Sequence, residues 1–151
     1  MKQESINKTI NRYRKRISEY GTTFESLGSG SLAHQSIRFE MLKTGIKSGD
    51  SVLDIGCGLG DFYHYLLSCD INVDYYGVDI VPEFIKTAEE KYPQAEFQIR
   101  NILEEPFKDN SFDFVVCSQV LNLRLKEEDN LQHAKDMLKS MNSFCRKSVA
   151  C

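Results

Sequence analysis

SVLDIGCGLGDF, residues 51–62, is the stretch from which the fold of this chain can be deduced. A short apolar run comes first, three glycines spaced GxGxG follow, and residues 62–68 then show helical periodicity. This order predicts a strand, a tight turn and a helix. Glycines allow the backbone to turn sharply and approach a ligand closely, and the free N–H groups at a helix start favour a negative group. The segment therefore predicts a binding site for a nucleotide-like ligand.

On both sides of this segment the hydrophobic pattern alternates between strand-like and helix-like stretches. The further predicted strands are 73–80, 95–99 and 112–118, and the predicted helices are 5–20, 36–44, 62–68, 82–92 and 126–144. Strands and helices that alternate with short links are typical of a doubly wound α/β fold. We therefore predict a mostly parallel sheet with helices on both faces.

The two ends of the chain differ from this central pattern. Residues 1–45 are predicted to form an N-terminal helical segment, and its Gly- and Ser-rich stretch 21–35 reads as a mobile loop and a candidate lid. Residues 46–151 are predicted to form the ligand-binding α/β domain. The last residues, KSVAC at 147–151, look like the opening of a fifth strand that the chain does not finish. An uncovered sheet edge would favour self-association or a partner chain.

Size and charge limit the class of protein. The chain has 151 residues, of which 41% are apolar and 27% charged, which is typical of one soluble globular domain. A net charge of −3 argues against a nucleic-acid partner, because such binding depends on clustered Lys and Arg. A basic run at 2–16 is the local exception, and we interpret it as a solvated helix face.

Cysteine spacing and hydropathy favour a cytoplasmic protein with no membrane association. The five cysteines form no CxxC pair, which predicts reduced thiols and no metal site. No apolar run approaches the ~20 residues that a bilayer span needs, and the first residues lack the apolar centre of a signal peptide. His34, His64 and His133 are isolated in the sequence, so we expect surface or core roles for them.

The glycine spacing distinguishes between two classes of nucleotide-binding protein. A dinucleotide-binding oxidoreductase carries GxGxxG, and the place of its third glycine is occupied here by Asp61. The observed motif is GxGxG, with Asp54 two positions before the first glycine. This combination, VLDIGCGLG at 52–60, resembles motif I of the class I S-adenosylmethionine-dependent methyltransferases. An NAD(P)-binding oxidoreductase is therefore the weaker alternative.

The resemblance extends over residues 51–144 and implies S-adenosylmethionine as cofactor, with S-adenosylhomocysteine as product. It implies that Asp79, at the end of the second strand, holds both ribose hydroxyls, since a carboxylate accepts two hydrogen bonds at once. Asn101 stands where the family usually has Asp, and its carbonyl oxygen can still accept from the adenine amino group. The cofactor-binding residues that the resemblance implies are Asp54, Gly56, Cys57, Gly58, Gly60, Asp61, Phe62, Asp79, Ile80, Asn101, Ile102, Ser118 and Gln119.

The acceptor is less well defined than the donor. The fourth predicted strand ends in CSQVL, at 117–121, and not in the Asn/Asp-Pro-Pro-aromatic motif of the enzymes that methylate exocyclic amines of DNA bases or Gln side chains. No Pro-Cys pair supports cytosine methylation. We therefore predict a small-molecule acceptor, and no residue stands out as catalytic. A non-catalytic or remnant S-adenosylmethionine-binding module is the alternative, because the family's C-terminal strands are missing.

Overall fold

The computed structural model describes residues 3–121 and 129–151. These residues form three N-terminal helices and then five strands that alternate with helices, except that the third strand is followed by the fourth without a helix between them. The strands are β1 (Ser51–Ile55), β2 (Asp74–Asp79), β3 (Glu96–Ile99), β4 (Phe112–Cys117) and β5 (Cys145–Ala150). The helices are α1 (Gln3–Tyr20), α2 (Phe24–Leu27), α3 (Leu32–Leu42), α4 (Asp61–Ser68), α5 (Pro82–Lys91) and α6 (Asn130–Phe144).

The sheet is parallel throughout, with strand order β3-β2-β1-β4-β5. The chain runs outward from β1 through β2 to β3 and then crosses back to place β4 on the other side of β1. This reversal of direction beside β1 creates a crevice at the carboxyl ends of the strands, where ligands bind in open α/β sheets. The predicted fold class is confirmed.

Alternate residues of the central strand β1 pack on opposite faces of the sheet, as strand geometry requires. Val52 lies in a buried cluster with side chains of α3, α4 and α5, whereas Leu53 lies in a second cluster with α6. Both residues have no solvent exposure. The helices on the two faces shield the strands from water. This burial explains why the strand sequences are almost continuously apolar.

The prediction of a loop over the whole of 21–35 needs correction. This stretch contains the short helix α2, and α3 begins at Leu32 instead of Ser36. The hydroxyl of Ser31 accepts a hydrogen bond from the N–H of His34 at 3.2 Å and so caps α3. Serine is a strong N-cap residue. The small polar residues that suggested a loop in fact begin a helix.

The prediction of an unfinished fifth strand also needs correction. Strand β5 begins at Cys145, directly after α6, and pairs with β4 from Phe112↔Cys145 to Val116↔Ala150, with a register shift between Phe112 and Phe114. The edge of β4 is therefore covered, and within the described residues the open edges belong to β3 and β5. Because no loop separates α6 from β5, hydrophobic periodicity gave no sign of the boundary.

Helix α6 begins later than the sequence pattern indicated. Its N-cap is Asp129, whose carboxylate accepts hydrogen bonds from the N–H groups of Leu131 and Gln132. Residues 126–128, which were predicted to begin this helix, lie outside the described residues. In the part of the chain that the structure describes, no helix has the length and apolar character to cross a bilayer.

Candidate functional site

A cleft lies at the carboxyl ends of β1, β2 and β4, beside the chain reversal. Every predicted cofactor-binding residue except Gly60 lines it. Gly60 instead packs against two aromatic side chains: a Cβ atom at this position would come within 3.0 Å of the Tyr92 ring and 3.2 Å of Phe97. The parallel sheet explains this convergence, because residues far apart in sequence meet where neighbouring strands end.

The glycines of the loop after β1 are required by conformation and by space. Gly56, Gly58 and Gly60 have φ values of 74°, 54° and 79°, in the left-handed region that other residues avoid. A Cβ at Gly56 would overlap the side chain of Val120, and a Cβ at Gly58 would come within 2.9 Å of Leu27 Cδ2. The loop is therefore packed tightly under α2 and the segment after β4.

Asp79 connects this loop to the start of α5. Its Oδ2 accepts a hydrogen bond from the N–H of Gly58 at 3.0 Å, and its Oδ1 accepts one from the N–H of Val81 at 2.9 Å. Burial raises the pKa of Asp79, and hydrogen bonds from backbone N–H groups counteract that rise. Since an ionised carboxylate has about four acceptor positions, each oxygen keeps capacity for a ligand hydroxyl.

Asp54 forms the floor of the cleft and is only 3% exposed. The hydroxyl of Tyr75 donates a hydrogen bond to Asp54 Oδ2 at 2.5 Å. Burial raises the pKa of Asp54 to about 7, an effect that the Tyr75 hydroxyl opposes and that the charges of Asp79 and Asp61 reinforce. Burial also raises the pKa of Tyr75. Sequence reasoning missed Tyr75, although its position on β2 places it on the same sheet face as Asp54.

Asn101 adopts a different arrangement from the expected one. Its Oδ1 accepts the N–H of Leu103 at 3.2 Å, so the carbonyl that was expected to face the adenine amino group is engaged in a turn. Its Nδ2 is buried and has no hydrogen-bond partner within residues 3–121 and 129–151. An unpaired donor in the cleft suits an acceptor such as an aromatic ring nitrogen.

The lip of the cleft after β4 contains Gln119 in an uncommon conformation. Its φ of 64° is left-handed, and glutamine lacks the short side chain that lets Asn and Asp adopt this region readily. Such a conformation costs about 1–3 kcal/mol and is often found at functional sites. Ser118 and Gln119 line the cleft together, and the Gln119 side chain is exposed.

The N-terminal helices and α6 add polar cleft residues that sequence reasoning did not assign. These are Thr9 and Tyr13 of α1, Gln35 and Arg38 of α3, and His133 of α6. His133, for which a surface or core role was expected, is half-buried and borders the cleft. Tyr13 lies in the helix that the sequence pattern predicted at 5–20. Burial, and then the charge of Asp79, raise its pKa.

The polar and apolar side chains of the cleft fit a nucleoside. Asp79 offers acceptors for a diol, and the unpaired Asn101 Nδ2 offers a donor for a ring nitrogen. Ile80 and Ile102 line the same cleft with apolar side chains. No three His, Cys, Asp or Glu side chains of residues 3–121 and 129–151 are grouped as metal ligands.

A parallel sheet in this strand order, with a GxGxG loop after β1 and a carboxylate closing β2, defines a class I S-adenosylmethionine-dependent methyltransferase domain. The chain belongs to the methyltransferase-domain family, whose sequence model matches residues 46–150.

Known proteins resemble the chain in sequence and in structure. A protein of Invertebrate iridescent virus 6 that carries the name methyltransferase 235L is 33% identical over 95 residues, which cover 63% of this chain and 36% of that protein. Ribosomal protein L11 methyltransferase of Burkholderia cenocepacia is 30% identical over 97 residues, covering 64% of this chain and 32% of the enzyme. The chain thus spans about a third of the length of these relatives.

A solved structure matches nearly the whole chain. Phosphoethanolamine N-methyltransferase 1 of Haemonchus contortus, in complex with phosphoethanolamine and S-adenosylhomocysteine, superposes with a TM-score of 0.71. The match covers 97% of this chain and 31% of that enzyme, at 18% sequence identity. At this identity the likeness establishes the fold alone.

Proposed function

We propose that this chain binds S-adenosylmethionine in the cleft and transfers the methyl group to a small molecule. The observation that carries the proposal is the carboxylate of Asp79, which is hydrogen-bonded to both the glycine loop and the start of α5 and retains acceptor capacity toward the cleft. When bound, the cofactor supplies an electrophilic methyl group on a sulfonium. Family membership, through the match to residues 46–150, supports the same reaction class.

The proposed orientation follows the chemistry of the lining residues. Asp79 accepts the ribose hydroxyls, Ile80 and Ile102 contact the adenine ring, and Asn101 donates from Nδ2 to a ring nitrogen. The methionine end then lies beside the glycine loop and the first turn of α4. Ser118 and Gln119, at the end of β4, lie nearest the reacting sulfonium. The cleft lining and the unpaired Nδ2 of Asn101 support this orientation.

The main catalytic contribution of the protein is alignment. A sulfonium is a good leaving group, so the protein needs to orient the acceptor and exclude water, which can contribute about 7–11 kcal/mol. Thr9 of α1 and His133 of α6 line the cleft. Because side chains of both α1 and α6 border the cleft, we expect the acceptor to be a compact molecule.

The N-terminal segment, residues 1–45, is proposed to act as a lid. The Tyr13 ring packs edge-on against Phe84 of α5 with centroids 5.4 Å apart, and Leu27 of α2 packs over Gly58 of the loop. A cofactor under these helices is separated from solvent by side chains of the segment. Release of the product then requires the segment to move away.

Calorimetric titration with S-adenosylmethionine and S-adenosylhomocysteine, with NAD as the control ligand, tests the donor. We expect both sulfur nucleotides to bind and NAD to give no signal. Binding of NAD alone would replace the proposal with the oxidoreductase alternative. Formation of S-adenosylhomocysteine in the presence of pooled small amines, phenols and carboxylates then separates an enzyme from a non-catalytic binding module, because only an enzyme turns the cofactor over.

The edges of the sheet suggest how the protein could self-associate. Among residues 3–121 and 129–151, β3 and β5 form the outer edges of the sheet, and self-association is proposed to occur through one of these edges, since unpaired edges are templates for pairing. Light scattering checks this proposal. A concentration-independent monomer would contradict it.

A further inference from the structure

Two cysteines lie opposite each other at the carboxyl ends of the neighbouring strands β4 and β5. The strands are parallel, and Val116 of β4 is paired with Ala150 of β5. The same register continued by one residue brings Cys117, which ends β4, opposite Cys151, which directly follows β5. Neighbouring strands are about 4.7–4.9 Å apart, and the Cα atoms of disulfide-bonded cysteines are about 4.4–6.8 Å apart. The spacing of the strands therefore suits a disulfide at these two positions.

The two side chains are also in contact. Cys117 belongs to the apolar cluster between the sheet and α6, and Val149 of β5 packs against the same cluster. A hydrogen bond connects the side chains of Cys117 and Cys151. Both cysteines are free thiols in this structure. The structure therefore shows the reduced form of a pair whose sulfur atoms already face each other.

The two thiols differ in their access to solvent. Cys117 is only 1% exposed, whereas Cys151 is an exposed residue. Burial raises the pKa of the Cys117 thiol, and the neighbouring Cys151 raises it further. Because the thiolate is the reactive form and an oxidant has to reach the sulfur, Cys151 reacts with a dissolved oxidant first. Cys117 then lies beside the modified sulfur, in the position of a resolving thiol.

We propose that Cys117 and Cys151 form a reversible disulfide that fastens β5 to β4 beside the cleft. With oxidised glutathione as the oxidant, the Cys151 thiolate attacks one of its sulfur atoms, a mixed disulfide forms, and one glutathione thiolate leaves. The Cys117 thiol releases its proton to water, and its sulfur attacks that of Cys151 and displaces the second glutathione thiolate. The two protein thiols lose two electrons, and one glutathione disulfide is reduced to two thiols.

The disulfide would act on the lip of the cleft and on the stability of the fold. Ser118 and Gln119, which line the cleft, directly follow Cys117, so the bond fixes the strand end from which they extend. The bond also closes a covalent loop from residue 117 to residue 151, which reduces the conformational entropy of the unfolded chain. We expect the oxidised protein to melt about 5–15 °C higher than the reduced protein. No ligand is needed, so the proposal is independent of the proposed function.

The test exposes the purified protein to oxidised glutathione and maps its disulfides by mass spectrometry of an unreduced digest. We expect a peptide that contains Cys117 to be joined to one that contains Cys151, and the intact chain to lose about 2 Da. Excess dithiothreitol should reverse the mass change and the rise in melting temperature. Unmodified protein, a stable glutathione adduct on Cys151, or a dimer joined through Cys151 would each overturn the proposal. A Cys117–Cys151 bond without a rise in melting temperature would overturn the stabilising role.

Three variants complete the design. Cys151→Ser changes an exposed residue, so it should fold normally, form no internal disulfide and melt at the same temperature with and without oxidised glutathione. Cys69→Ser, at the end of α4, is the matched control and should keep both the disulfide and the temperature rise. Cys117→Ala removes the resolving thiol and should accumulate the glutathione adduct on Cys151. A rise in melting temperature on oxidation that persists in Cys151→Ser would assign the effect to another cysteine and contradict the proposal.

Discussion

The carboxylate of Asp79 accepts a hydrogen bond from the N–H of Gly58 at 3.0 Å, which joins the acid at the end of β2 to the glycine loop after β1. The same carboxylate accepts the N–H of Val81 at the start of α5. One side chain thus organises two of the segments that border the cleft. Loss of Asp79 should therefore affect ligand binding and the local loop structure together.

Asp79→Ala is expected to weaken S-adenosylhomocysteine binding from several-fold to a few hundred-fold, because the ribose hydroxyls lose their acceptor at about 1–3 kcal/mol. Calorimetry on the variant measures this loss. Asp74→Asn, at the exposed start of the same strand, is the matched control and should bind normally. Unchanged affinity in Asp79→Ala would place the ribose elsewhere.

Gly58→Ala is expected to destabilise the protein by about 1–3 kcal/mol, because its φ of 54° disfavours a side chain and Leu27 Cδ2 would lie 2.9 Å from the new Cβ. Binding of S-adenosylhomocysteine should weaken as the loop shifts. Gly49→Ala provides the comparison, since Gly49 has a φ of 92° with no atom within 4 Å of a Cβ. It should cost stability without loss of affinity. Urea unfolding and calorimetry measure the two effects, and equal affinity loss in both variants would argue against a specific role of the loop.

Asp54 should make the stability of the unliganded protein depend on pH. Its folded pKa of about 7 lies above the value of about 3.9 for an unfolded aspartate, so the folded state binds more protons between these values. The free energy of unfolding should therefore fall as pH rises from about 4 to 7, by up to about 4 kcal/mol from this group. Asp54→Asn should remove this dependence and be more stable than wild type at pH 8. Urea unfolding at pH 5 and pH 8 tests it.

Tyr75→Phe supplies an internal check on that result. The Tyr75 hydroxyl stabilises the ionised form of Asp54, so its removal should raise the pKa of Asp54 further and move the pH-dependent loss of stability to higher pH. An unaltered pH profile in Tyr75→Phe would indicate that another group causes the dependence.

The lid role of residues 1–45 predicts protection by ligand. Saturating S-adenosylhomocysteine should slow tryptic cleavage after Arg16 and after Arg38, because a cofactor beneath Tyr13 and Leu27 stabilises the closed arrangement. Mass spectrometry of the early fragments identifies the cleaved bonds. Cleavage at equal rates with and without the ligand would remove the support for a lid.

Local sequence determined the central part of the protein. The alternation of strand-like and helix-like stretches around the strand, GxGxG turn and helix at 51–68 predicted the parallel α/β sheet, because apolar strand runs and glycine turns reflect constraints within a few residues. Asp79 and Asn101, which lie at strand ends, were predicted as site residues from the resemblance to the methyltransferase family. In a parallel sheet those ends meet at one edge, so no tertiary contact was needed to group them.

Only the tertiary structure decided which side chains complete the cleft. Arg38, Tyr13 and His133 lie on helices whose periodicity shows a buried face but not the element that it packs against. The pairing of Tyr75 with Asp54, and the turn that engages the Asn101 carbonyl, depend on side-chain geometry across separate segments. Patterns along the chain record local conformation, whereas docking angles between helices and sheet arise from packing of the whole core.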